Sequence, residues 1–522
     1  MLTTTLAALC LAVLPPAASA IPAAFPSPAA GSTLGAPSPA TDVTPGARAP
    51  APGISSGALP SAPGITSRAL TSAPGVTFRA LPPAAEITPA QVDAYVADYQ
   101  EKTGLPGVAV AITKGTRVIH ARGYGTTASG APVTADTPMA VASVSKSFTS
   151  LAVMQLVEKG VVELDRPVRG YLPEFAMADP RAAAITVRQL LHQTSGMDDT
   201  TFHEKSLPQP DSLKGAVARL RDAKLAAAPG TAFSYHNTNY QVAARLVEVV
   251  SGEPFAAYLK RHVFGPLGMR HSTTIDTERD LPDSARGHLV FLGHAFAMPE
   301  PAGFGNGSGG VLSSASDMAR WLIAQNGGIL SPASVKELRT PSKQNDSYAL
   351  GWSLGTTKRG TPVIGHGGDL FTSTAEQLLI PGSGYGIAVT ANTGMAFDDS
   401  STLLDGLVAM IEGGTPEDPS SPYLATDVVF ALLTLATVGL AVRGVVRSRR
   451  WAARRTGWGR LWVLPSLAPL ALCAAVVPIF RVLARGSDIM WIQVAYLYPS
   501  FMLWLVTAAA AGVIVTAVRL SR

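Results

Sequence analysis

Three apolar stretches near the C-terminus, at about 425–442, 461–480 and 491–517, constrain this chain more than any other feature. Each is long enough to cross a hydrocarbon layer, and in hydrocarbon only helices and closed barrels satisfy their own backbone polar groups. Seven arginines (443, 447, 449, 450, 454, 455 and 460) lie between the first and second stretches. Two lie between the second and third, and Arg519 and Arg522 close the chain. Arginine-rich loops stay in the cytoplasm. The first loop and the C-terminus are therefore expected inside the cell, with everything before the first stretch outside. Polar residues in these stretches are few, chiefly Asp427 and Gln493 near the ends, which fits anchoring better than a transporter or channel.

The charge follows the same division. The chain has 522 residues and a formal net charge of +5. Residues 423–522 hold 11 Arg, no Lys, two Asp and no Glu, a balance of +9, which leaves −4 for the rest. The basic character belongs to a membrane flank and gives no reason to expect nucleic acid as a partner. Cys10 and Cys473 are the only cysteines, one in each terminal apolar segment, so the region between them forms no disulfide. No Cys/His spacing suits a metal, and no cofactor motif is present.

Residues 1–20 read as a signal peptide. An apolar run from Leu6 to Leu14 is followed by Ala18-Ser19-Ala20, with cleavage expected before Ile21. Residues 21–86 are rich in Ala, Pro, Gly, Ser and Thr, and repeat an eleven-residue unit from Ala51, Ala62 and Ala73. Such a segment cannot bury enough apolar surface to offset its ordering entropy, so it reads as a disordered spacer. Folded structure is expected over 87–412, then a linker over 413–422 and a membrane region over 423–522.

Thr88-Pro89-Ala90-Gln91 reads as a capping box with proline at the first helical position, ahead of a stripe of Val92, Tyr95, Val96 and Tyr99. Val108–Ile112 and Val118–Ala121 flank Lys114-Gly115 as a hairpin. Helical patterns dominate from about Ser145 to Met269. Strand patterns return at Tyr348–Leu354, Pro362–Gly365, Gln377–Ile380 and Gly386–Ala391, before an amphipathic helix over about Ser401–Ile411. Strands at both ends with helices between them predict one sheet closed by the domain's termini around a helical insertion, an α+β or α/β class.

Chemistry concentrates in three short groups: Ser143-Val144-Ser145-Lys146, Tyr235-His236-Asn237 and His366-Gly367-Gly368. Lys146 is the only lysine with serine three positions earlier. On a helix opening at Ser143 that spacing shares one face, so the amine can reach the hydroxyl. Serine becomes nucleophilic when a neighbouring base takes its proton, and a desolvated lysine can be that base. The apolar run Phe148–Val157, closed by Gly160, reads as a buried central helix, and a serine at its start meets free N–H groups and the positive end of the helix dipole.

This order of motifs resembles the penicillin-recognising serine hydrolases, in the class C β-lactamase and D-Ala-D-Ala carboxypeptidase branch. The resemblance spans roughly Ile87–Ile411. It is strengthened by Leu190-Leu191-His192-Gln193-Thr194-Ser195-Gly196-Met197, Phe264-Gly265-Pro266-Leu267-Gly268-Met269, and Gly309-Gly310-Val311-Leu312-Ser313-Ser314 before Asp317-Met318-Ala319. It implies a β-lactamase-like fold, with an antiparallel sheet flanked by terminal helices plus a helical subdomain. It also implies Ser143 as acylated nucleophile, Lys146 as its base, and Tyr235 as the group exchanging a proton with the leaving group. A phenol of ordinary pKa does this only if a cation such as Lys146 favours phenolate or shares the proton.

By the same resemblance Asn237 holds Lys146 and the substrate amide, and the N–H groups of Ser143 and of Asp369, just after Gly368 on an edge strand, form the oxyanion hole. The chain departs where many members carry Lys-Thr-Gly. Here His366-Gly367-Gly368 replaces a fixed cation and a hydroxyl with a titratable imidazole, whose charge is expected to fade above about 6.5. That weakens the case for gripping a substrate carboxylate. His192 and His236 read as structural.

The leading expectation is a multi-pass membrane protein whose extracytoplasmic serine hydrolase domain acts through an acyl-enzyme on a D-amino-acid peptide, an ester or a β-lactam. The alternative is a penicillin-binding-like sensor signalling through the membrane helices. Against it, the cytoplasmic side holds only an arginine-rich loop and a short tail.

Overall fold

The computed structural model describes residues 86–522, apart from 420, 421, 456 and 485. The expected signal peptide and nearly all of the expected spacer lie outside the described residues.

Helix α1 (Pro89–Thr103) opens on the capping box read from sequence. Thr88 Oγ1 accepts the Gln91 N–H, while Gln91 Oε1 accepts the Thr88 N–H at 2.9 Å. Its stripe of Val92, Val96 and Tyr99 is buried. Strands β1 (Gly107–Lys114) and β2 (Arg117–Gly125) form the expected hairpin, with Gly115 at a positive φ in the turn. The short β3 (Met139–Ala140) leads into a 3₁₀ turn over Ala142–Val144 and then into α2 (Ser145–Glu158). Helix α3 (Thr238–Ser251) starts directly after Tyr235-His236-Asn237.

Next in the chain come β4 (Thr273–Thr274), the hairpin β5 (Gly287–Phe291) and β6 (His294–Met298), β7 (Val311–Ser313) and α4 (Ala315–Gln325). The domain closes with β8 (Ser353–Thr356), β9 (Pro362–Asp369), β10 (Thr374–Ile380), β11 (Tyr385–Ala391) and α5 (Asp399–Ile411).

The main sheet runs β2-β1-β11-β10-β9-β8 and is antiparallel throughout, with the domain's first and last strands paired inside it. Helices α1 and α5 cover one face through Val92, Val96, Leu403 and Leu407. The other face packs on α2, α4 and the helical insertion, where Phe148 stacks on Trp321 at 3.9 Å. Such fully buried aromatic pairs contribute beyond their area.

Two segments differ from the expected strands. Tyr348–Leu354 is a strand only from Ser353, because Gly351 turns at φ +74 beneath α2, where a Cβ would lie 2.8 Å from the Lys146 carbonyl oxygen. In the other direction, β9 continues four residues past Gly365. The expected edge strand is also corrected, since β8 takes the outermost place in the sheet. Pairing with β8 nevertheless ends at Gly365, because β8 is only four residues long. His366, Gly367, Gly368 and Asp369 extend past it, leaving their outer edge unpaired by β8.

The C-terminal region packs as α6 (Pro422–Val446), α7 (Ala468–Leu483), α8 (Trp491–Leu497) and α9 (Pro499–Leu520). Among the described residues three spans are long and apolar enough to cross a membrane: Tyr423–Val446, Gly457–Leu483 and Pro499–Leu520. Phe430, Phe501 and Trp504 pack between them, while Leu435 and Leu440 are 69% and 68% exposed, as side chains facing lipid would be. The third stretch read from sequence is divided: α8 stops before Tyr498, and Pro499, which has no N–H to donate, starts the span.

Candidate active site

The 3₁₀ turn before α2 presents Ser143 at the floor of a cleft enclosing about 1030 Å³ of space open to solvent. Ala142 holds a left-handed backbone (φ +45) just before it, a costly conformation for a residue with a side chain. The turn is held from several sides. Ser145 Oγ accepts the Val311 N–H at 2.9 Å, and Ser147 Oγ accepts from Gln377 Nε2 at 3.0 Å, whose Oε1 accepts the Trp321 indole N–H at 2.8 Å. From the sheet, β9 approaches so closely that a Cβ on Gly368 would lie 2.4 Å from the Val141 oxygen and 2.8 Å from the Ser143 nitrogen.

Lys146 is fully buried. Its Nζ lies 2.9 Å from each of three oxygens: Ser143 Oγ, Asn237 Oδ1 and the Ser308 carbonyl. Burial pulls its pKa down to about 7; Glu204 opposes this, Lys205 adds to it, and Asp369 opposes it. Two of the three oxygens can only accept, so a neutral amine gives them its two hydrogens and turns its lone pair to the Ser143 hydroxyl.

The centre of the Tyr235 ring sits 4.7 Å from Lys146 Nζ, and its buried hydroxyl has no hydrogen-bond partner of normal geometry among the described residues. Burial raises the phenol well above its ordinary value, and the nearby Ser143 hydroxyl only partly offsets that. Burial thus works against phenolate, one of the two routes open to Tyr235, and leaves the other, a proton shared with Lys146.

Asn237 bridges Lys146 to a residue the sequence does not reveal. Its Nδ2 donates to Glu204 Oε1 at 3.0 Å, and Glu204 Oε2 accepts from Thr238 Oγ1 at 2.8 Å. Burial pushes Glu204 upward, but His236, Lys205 and these hydrogen bonds together hold it below its ordinary value. With Nδ2 engaged by Glu204, Asn237 is less free for a substrate amide than expected. The Ser308 carbonyl is equally invisible in sequence, since a backbone acceptor has no letter of its own.

Ser143, Asn237 and Asp369 line the cleft; Lys146, Tyr235, His366 and Gly368 are not part of its lining. Burial pushes the Asp369 carboxyl up to about 6, against the pull of Lys146. His366 departs furthest from expectation. It is buried, with Nδ1 donating to the Gly367 carbonyl at 2.6 Å and Nε2 facing the Tyr348 hydroxyl at 3.2 Å. Burial and Lys146 push it down to about 3, so its charge does not fade near 6.5 but is absent across the neutral range. His192 and His236 are buried. Among the described residues no group of His, Cys, Asp and Glu could hold a metal.

Comparison with known proteins decides the family. The beta-lactamase family model matches residues 92–410. The chain belongs to that family. Among curated relatives of this beta-lactamase family protein, penicillin-binding protein 4 of Amycolatopsis lactamdurans is 31% identical over 334 residues, covering 59% of this chain and 86% of that one. Protein flp of Staphylococcus aureus (strain MW2) is 28% identical over 317 residues, covering 58% of this chain. The match spans 62% of Protein flp's own length. Among solved structures, the octameric penicillin-binding protein homologue from Pyrococcus abyssi superposes with a TM-score of 0.55 at 26% identity, covering 66% of this chain and 81% of that chain. The fold is the β-lactamase-like one expected, followed by three candidate membrane spans.

Proposed function

We propose that this protein is a membrane-anchored serine hydrolase that acts through an acyl-enzyme on an amide or ester, with its hydrolase domain (87–412) outside the cell. The observation that carries the reading is the Lys146 amine, buried and 2.9 Å from the Ser143 hydroxyl, with its other two contacts made to oxygens that can only accept.

In the proposed reaction Ser143 Oγ attacks the acyl carbon as its proton passes to Lys146 Nζ. The N–H groups of Ser143 and Asp369 hold the oxyanion, and the approach of Gly368 to the Ser143 nitrogen supports that pairing. The bond to the leaving group breaks, the leaving group takes a proton from Tyr235, and Tyr235 regains one from Lys146. Water then attacks the acyl carbon, its proton passing to the Lys146–Tyr235 pair, and Ser143 Oγ departs with a proton as the acid is released. Asn237 and Glu204 hold the lysine in place.

Two features support the topology of a linker over 413–422 and a membrane region over 423–522. One is the arginine bias of the loops. The other is that the segment between the second and third spans bonds to the hydrolase domain, through Asp488 to Ser206 and Tyr496 to Pro299, as three crossings require of a loop on that domain's side.

The test is mass spectrometry of full-length protein in detergent after exposure to a chromogenic cephalosporin, a short-chain ester and a D-Ala-D-Ala peptide. A covalent acyl adduct on Ser143 with at least one donor is expected. An adduct on another residue, or none with all three, would overturn the reading.

A further inference from the structure

The segment between the second and third spans does more than return the chain to the membrane. It bonds to both lips of the cleft. On one side Asp488, buried, accepts the N–H groups of Lys205 and Ser206 at 2.8 Å each and the Ser206 hydroxyl at 2.7 Å. This is the loop that carries Glu204. Gly486 approaches the same loop so closely that a Cβ would lie 2.7 Å from Thr200 Cγ2. On the other side the Tyr496 hydroxyl donates to the Pro299 carbonyl at 2.7 Å, and its ring meets the Phe371 ring edge-on at 6.2 Å. The adjacent Glu300 accepts the N–H groups of Phe371 and Thr372 at 2.9 and 3.0 Å, so this lip is tied to the turn that follows β9.

Between these two fixed points lie Met490 and Gln493, and both line the same cleft as Ser143. Gln493 Oε1 accepts the Met490 N–H at 3.0 Å, and its Nε2 has no hydrogen-bond partner among the described residues. The cleft beyond Ser143 also carries Leu281, Phe304, Leu370 and Phe371. Met490 lies close in sequence to Pro499, where the third span starts, which puts this wall near the membrane surface.

We propose that this segment is the outer wall of the acyl pocket: Met490 and Gln493 touch the arm of the substrate beyond the scissile carbonyl, and that arm is an extended apolar chain. The proposal rests on the hydrolase reading and names its substrate class, an amphiphilic ester or amide taken at the membrane surface. Met490 and Gln493 are specificity residues; the proton transfers remain with Ser143, Lys146 and Tyr235.

The experiment compares kcat/KM for p-nitrophenyl hexanoate and p-nitrophenyl acetate, which share a leaving group, on full-length protein in detergent. Each buried methylene is worth about fourfold, so wild type is expected to prefer hexanoate by roughly tenfold or more. Met490→Ala is expected to cut that preference by roughly fivefold, the loss falling on hexanoate, and Met490→Leu to keep it. A thermal melt matching that of wild type reports that each variant is folded. A wild type indifferent to chain length, or a Met490→Ala variant that leaves the ratio intact or lowers both donors together, would overturn the proposal. No acylation of wild-type Ser143 by either ester would overturn this proposal and leave the hydrolase reading to the cephalosporin and the peptide; no adduct with all three donor classes would overturn both.

Discussion

Gly368→Ala isolates the contact between β9 and the Ser143 turn. The added Cβ would lie 2.4 Å from the Val141 oxygen, 2.8 Å from the Ser143 nitrogen and 3.0 Å from the Ala142 Cβ. All three partners are backbone or a methyl group close to it, so none can rotate away. Restoring ordinary contact takes a relative shift of about 1 Å between strand and turn, and a misplacement of that size costs on the order of 100-fold in rate. The shift also spreads the two N–H groups assigned to the oxyanion. The assay is the rate of Ser143 acylation by p-nitrophenyl acetate, followed as release of p-nitrophenol, with circular dichroism and a thermal melt to show that the fold persists. A folded variant acylating at the wild-type rate would refute the packing argument and the oxyanion assignment built on it.

Other outcomes follow from the same geometry. Lys146→Ala is expected to abolish acylation of Ser143 in a protein that still folds; wild-type turnover in that variant would remove lysine from the mechanism. Glu204→Gln removes a negative charge that raises the Lys146 pKa. Two hydrogen bonds in series through Asn237, 2.9 and 3.0 Å long, separate the carboxylate from the amine, so at an effective dielectric of about 20 the acid limb of the pH–rate profile should move down by about one to two pH units. An upward move would contradict the sign. Trp321→Phe deletes the indole donor to Gln377 and leaves a buried acceptor unpaired, which should cost about 1–3 kcal/mol in a chemical denaturation measurement.

The parts of the molecule legible in its sequence are those set by local spacing. The capping box of α1, the hairpin at Gly115 and the serine–lysine pair are short-range patterns, and the structure brings Ser143 and Lys146 to 2.9 Å. Strand patterns at both ends of the domain are enough to anticipate one sheet closed by its termini, while its antiparallel order is what the resemblance implies. What stays hidden depends on distance along the chain. Glu204 is one acidic residue in an irregular loop until folding brings it to Asn237, and the Ser308 acceptor belongs to the backbone. The burial of His366 depends on Tyr348 and Tyr235, which nothing near it in sequence announces. Strands as short as β3, β4 and β7 leave no periodicity to read. An unbroken apolar run masks the separation of α8 from the third span, although Pro499 marks the boundary. Anchoring alone, the role expected of the membrane helices, leaves out the bonds of Asp488 and Tyr496 to the cleft.

The central claim is that Lys146, neutral near physiological pH, takes the proton of Ser143. Burial lowers its pKa from 10.5 to about 7, so the base form gains population as pH rises through that value. Single-turnover acylation of the full-length protein by p-nitrophenyl acetate, measured from about pH 5 to pH 10 with the adduct assigned by mass spectrometry, tests this directly. The account predicts an adduct on Ser143 whose rate of formation rises about tenfold per pH unit at low pH and levels off above about 7. A rate still climbing toward pH 10, as an ordinary lysine would give, or one independent of pH, would contradict it.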